Sequence, residues 1–131
     1  MTTRSLSILV ADDERHVATS ISMALRGGGH RIETAEDGLQ AFEMLRENTA
    51  GIDLLIADNT MPGLTGSELI AKLKEIGFRG KYMVLSAYLT PELEKIYRGL
   101  GVDYIVHKPF DLGALRGAVT EIAEALDSGG A

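Results

Sequence analysis

Residues 6–14 read Leu6-Ser7-Ile8-Leu9-Val10-Ala11-Asp12-Asp13-Glu14, an apolar run that ends abruptly in acids. A run apolar at nearly every position, rather than at every second one, is what a strand buried on both faces of a parallel sheet requires. Parallel strands need long crossovers, so a helix should follow. Val17, Ile21, Ala24 and Leu25 fall on one helical face, and Gly27-Gly28-Gly29 ends that helix. The alternation then repeats. Further strands are expected at 31–35, 54–57, 82–85 and 102–106. Leu39, Phe42 and Leu45 mark a second helix; Leu69, Ile70, Leu73 and Ile76 mark a third, stopped by Gly77. Thr90-Pro91 supplies an N-cap and a first-turn proline for a fourth, carrying Leu93, Ile96, Tyr97 and Leu100. Asp111 caps a fifth, whose inner stripe is Leu115, Val119, Ile122 and Leu126.

Five βα units predict an α/β fold: a doubly wound, five-stranded parallel sheet with right-handed crossovers and helices on both faces. The chain has 131 residues, enough for one domain that buries roughly 65–70% of its unfolded surface. One domain over 1–131 is expected, with its core at about 5–127 and a flexible tail at 128–131. Hydrophobic residues at 45% and charged residues at 24% exclude a disordered chain. The absence of cysteine excludes disulfides, thiolate metal sites and a cysteine nucleophile. The longest apolar runs are too short to span a bilayer, and the first residues lack the apolar stretch of a signal peptide. A net charge of −6 without a basic run argues against nucleic-acid binding. His16, His30 and His107 are too scattered for a zinc site.

Ligand chemistry in such folds gathers at the carboxyl ends of the strands, where strand order reverses. Strand 1 ends at Asp12-Asp13-Glu14, strand 3 at Asp58, strand 4 at Ser86 and strand 5 near Lys108-Pro109. Close carboxylates repel unless a cation joins them. A hard divalent cation such as Mg²⁺ suits oxygen ligands. A carboxylate nucleophile, a metal, a lysine and a hydroxyl together make a phosphoryl-transfer set. Taken singly, each residue has an ordinary explanation. The acids after strand 1 suit a helix start, Asp58 a turn, Ser86 a strand-end cap and Lys108 a solvated loop. Their joint placement on one sheet edge is what separates the two readings.

At these residues the chain resembles the receiver domain of two-component response regulators, in the single-domain form of the chemotaxis regulator. The matching features are Ile-Leu-Val-Ala-Asp12-Asp13-Glu14, Asp58-Asn59-Thr60-Met61-Pro62 with Gly66, Ser86-Ala87 and Lys108-Pro109-Phe110. They occur in order over essentially the whole chain. The resemblance implies a flavodoxin-like sheet of order 2-1-3-4-5. It implies that Asp58 accepts a phosphoryl group from a sensor histidine kinase or a histidine phosphotransfer protein. It implies that Asp13, Asp58 and the Thr60 carbonyl hold Mg²⁺, with Mn²⁺ an alternative, and that Asp12 acts through water. Ser86 and Lys108 would contact phosphoryl oxygens, and the Lys108-Pro109 bond would be cis. The output would be an unknown downstream protein engaged by contact, in the cytoplasm, with no nucleic acid and no membrane.

One position departs from the family pattern. Receivers commonly carry an aromatic residue three positions before the lysine, as a rotameric partner of the Ser/Thr; here it is Ile105. Tyr104 lies one residue too early, and strand alternation sends it to the other face. Tyr88, two residues after Ser86, is the substitute aromatic expected to respond to the site.

Two enzyme or cofactor classes compete. A haloacid-dehalogenase-like phosphatase also uses an aspartate nucleophile and Mg²⁺, but wants an acid where this chain has Thr60. A flavodoxin-like cofactor binder wants a Ser/Thr/Gly-rich phosphate loop after strand 1, where Asp12-Asp13-Glu14 would repel a phosphate. Met1 and the lack of a linker favour a stand-alone regulator over a receiver excised from a larger regulator or hybrid kinase.

Overall fold

A computed structural model describes residues 4–49 and 51–128. The elements alternate strictly: β1 (Ser7–Ala11), α1 (Arg15–Gly27), β2 (Arg31–Ala35), α2 (Gly38–Glu47), β3 (Leu54–Asp58), α3 (Gly66–Glu75), β4 (Lys81–Ser86), α4 (Pro91–Gly99), β5 (Tyr104–His107) and α5 (Leu112–Ser128). The strands form one parallel sheet in the order β2-β1-β3-β4-β5. The winding reverses between β1 and β3, which opens a crevice beyond their carboxyl ends.

Two cores flank the sheet because successive strand residues face opposite sides. Ile8 and Val10 pack with α1 and α5 through Ile21, Leu25, Leu115 and Val119. Leu9 and Ala11 pack with α2, α3 and α4 through Ala41, Leu45, Leu69, Leu73 and Tyr97. The central strand β3 is buried along its whole length, as its unbroken apolar run demands.

Some boundaries differ from expectation. β5 begins at Tyr104, not at 102. The Val102 amide instead donates to the Tyr97 carbonyl at 3.2 Å and closes α4, while Gly101 takes φ of 80°. β3 and β4 extend to include Asp58, Lys81 and Ser86. Leu39 is 55% exposed rather than inward. The start of α2 packs so tightly that a methyl on Gly38 would lie 2.4 Å from the Leu64 carbonyl oxygen, and this seating gives the inward positions to Ala41 and Leu45. Ile96 is likewise turned out, because its neighbour Tyr97 takes the core position of α4. α5 reaches Ser128, the first residue of the expected tail; the tail's remaining residues, 129–131, lie outside the described residues.

Candidate functional site

The end of β1 hands the chain to α1 through Asp12. Its Oδ1 accepts the Glu14 amide at 2.9 Å, a tight local turn. Its Oδ2 is buried and has no hydrogen-bond partner. Asp58 ends β3 and is 5% exposed. Its Oδ1 accepts the Thr60 amide at 3.3 Å, and its Oδ2 accepts from Lys108 Nζ at 2.9 Å. Lys108 enters from the loop after β5, where its amide bonds the Ser86 carbonyl at 2.8 Å and its bond to Pro109 is cis. Its Nζ also stands 3.7 Å from Asp12 Oδ2 and 3.8 Å from Glu14 Oε1.

This crowding shifts the charges. Burial, reinforced by the Asp58 and Asp13 charges, outweighs the Glu14 amide and Lys108, and pushes Asp12 up to about 6. Burial alone would lower the Lys108 pKa. The hydrogen bond to Asp58 and the charges of Asp12, Asp58 and Glu14 together reverse that, so its pKa is raised. Three acids share one ammonium, and one buried oxygen is left over. An oxygen-seeking cation fits that donor set: single ligand oxygens of Asp12, Glu14 and Asp58 lie within 4.8 Å of one another.

The structure therefore brings Asp12, Asp58 and Lys108 together. Asp13 and Thr60 are exposed at the rim. Ser86 is fully buried, but its hydroxyl donates to the Tyr88 carbonyl at 2.9 Å. The Tyr88 ring is 85% exposed. Tyr104 packs toward α1 and α5, and its hydroxyl donates to Glu121, whereas Ile105 packs against the opposite core. Their separation onto two faces follows the strand alternation. Sequence reasoning placed Glu14 in the acid run at this edge but not among the site residues; as an N-cap residue making no side-chain cap bond, it stands between Lys108 and His16, 3.8 Å from each. It also read Tyr97 only as core; its hydroxyl donates to Asn59 Oδ1, beside Asp58.

Residues 8–120 match the family model of the response regulator receiver domain, and the chain belongs to that family: it is the receiver domain of a two-component response regulator. It is 32% identical to the chemotaxis protein CheY of Treponema pallidum, over 79% of this chain and 73% of that one. It is 31% identical to the transcriptional regulatory protein ZraR of Klebsiella oxytoca, over 92% of this chain but only 27% of that one. The receiver domain of a Francisella response regulator superposes with a TM-score of 0.83 at 28% identity, covering 92% of this chain and 98% of that one. Among the described residues no helix is long and apolar enough to cross a membrane.

Proposed function

We propose that Asp58 is the phosphoacceptor of a cytoplasmic signalling domain. The observation that carries this reading is a nearly buried carboxylate at a strand end, 2.9 Å from a lysine and beside the unpartnered Asp12 oxygen. A carboxylate oxygen of Asp58 attacks the phosphorus of a phosphohistidine on a sensor histidine kinase or histidine phosphotransfer protein. The P–O bond forms as the P–N bond breaks, and the imidazole leaves with its electron pair. Lys108 stabilises charge on the phosphoryl oxygens. Asp13, Asp58 and the Thr60 carbonyl would hold Mg²⁺, or Mn²⁺ in its place, with Asp12 acting through water. When bound there, the metal would neutralise charge on the carboxylates and the phosphoryl oxygens. Ser86 turns its hydroxyl from Tyr88 to the phosphoryl group, and hydrolysis by water later resets the site. The phosphorylated form signals by altered contact with a downstream protein.

Incubation with acetyl phosphate and Mg²⁺, followed by intact-mass measurement, tests the assignment. One added phosphoryl group is expected, absent in Asp58→Ala. Stoichiometric labelling that persists in Asp58→Ala overturns it.

A further inference from the structure

Tyr97 has no exposed surface, yet it carries a hydroxyl. That hydroxyl, on α4, donates to the side-chain oxygen of Asn59, the residue between Asp58 and Thr60. The approach has its own clearance: a methyl on Gly66 would fall 2.7 Å from the Tyr97 oxygen and 3.0 Å from the Asp58 carbonyl oxygen. Asn59 is also held through its backbone. Its amide donates to the Leu85 carbonyl at 2.8 Å, and its carbonyl accepts the Gly66 amide at 3.0 Å. Burial, then the Asp58 charge, outweigh hydrogen bonding with Ser67 and push Tyr97 up to about 12, so the group stays a neutral donor. Packing alone asks for no oxygen here, since phenylalanine would fill the same ring volume.

We propose that Tyr97 is a positioning residue for this site: its hydroxyl fixes Asn59 and the turn that presents the Thr60 carbonyl, and so ties the metal and phosphoryl site to α4. This rests on the reading of Asp58, Asp13 and Thr60 given above. Coupling between sites is reciprocal. A hydroxyl that improves metal binding is therefore held more firmly once metal binds, and occupancy of the site is felt on α4. Ile105 offers no hydroxyl for such a link.

The test is a Mg²⁺ titration of the parent, Tyr97→Phe, Asn59→Ala and the double variant, by calorimetry. Tyr97→Phe is expected to weaken Mg²⁺ by about fivefold, the effect of one lost hydrogen bond. Asn59→Ala should weaken it similarly, and the double variant should be no worse than the weaker single one. With acetyl phosphate, the slowed labelling of Tyr97→Phe should recover at saturating Mg²⁺, a split that lost packing would not produce. Unchanged Mg²⁺ affinity in Tyr97→Phe, or effects that simply multiply in the double variant, overturns the proposal. Should Tyr97→Phe fail to fold, Asn59→Ala decides: parent-like affinity there overturns it as well. A parent that neither binds Mg²⁺ nor takes label sinks the underlying reading too, whereas a parent that does both beside an unaffected Tyr97→Phe sinks only the positioning role.

Discussion

Asp12 Oδ2 faces Lys108 Nζ at 3.7 Å without hydrogen-bonding to it, while Asp58 Oδ2 holds the same ammonium at 2.9 Å. One cation is thus shared unequally, and the deeper carboxylate is left short. Burial is the main reason that Asp12 titrates near 6 rather than at its ordinary 3.8. The folded state therefore favours the protonated acid. Its stabilising contribution is full below about 3.8 and is lost as pH rises through about 6. At about 1.4 kcal/mol per pH unit this amounts to on the order of 3 kcal/mol. Without metal, urea midpoints of the parent minus those of Asp12→Asn should fall between pH 4 and pH 7. A difference that stays flat across that range contradicts the strained carboxylate.

Mg²⁺ should relieve the same strain. At ten times its dissociation constant a native-state ligand adds about 1.4 kcal/mol, or about 5 °C in melting temperature for a domain of this size. Asp13→Asn should melt no lower than the parent without metal, since it removes a repelling charge. It should also lose most of the Mg²⁺-induced rise. Thermal melts with Mg²⁺ and with a chelator check both halves, and an undiminished rise in Asp13→Asn removes that residue from the ligand set.

Gly117 sits inside α5, is exposed, and has nothing within 4 Å of where a methyl would go. Its backbone takes an ordinary negative φ, because the glycines with positive φ are Gly29, Gly63, Gly77 and Gly101. Gly117→Ala should therefore stabilise the chain by about 0.5–1 kcal/mol. Chemical denaturation reads this directly. A destabilised variant would mean that α5 needs the gap for close approach of something else.

The strands and both cores were legible because a doubly covered parallel strand leaves little choice of residue: Ile8, Val10, Leu55 and Ile56 are all fully buried. The convergence of Asp12, Asp58 and Lys108 was legible for a related reason, since strand ends in this topology meet at one edge. What was not legible depends on torsions and on the ends of helices. Val102 is apolar like a strand residue, yet its amide completes the last turn of α4. Leu39 fits the helical period but loses the inward position to Ala41. Periodicity places the Tyr97 ring in the core and says nothing of where its oxygen ends, and no spacing rule aims the Ser86 hydroxyl at Tyr88.

That last bond separates two roles at Tyr88. A serine hydroxyl has one proton to donate, and in Ser86 it goes to the Tyr88 main-chain carbonyl. Turning that hydroxyl toward a phosphoryl group releases the loop ahead of α4, whatever side chain residue 88 carries. Addition of beryllofluoride should therefore speed amide exchange over 87–90 in the parent and equally in Tyr88→Ala. Ser86→Ala, in which the carbonyl has already lost its donor, should exchange fast from the start and respond little. The ring itself would have a different task. It lies 85% exposed beside the groove that Glu14, Lys108 and Pro109 line, where it would screen an acyl phosphate on Asp58 from water. Tyr88→Ala should shorten the phosphoryl lifetime by about fivefold, the rate equivalent of about 1 kcal/mol. An unchanged lifetime leaves the ring a surface residue. Exchange over 87–90 that ignores beryllofluoride in the parent means that the Ser86 hydroxyl never leaves Tyr88.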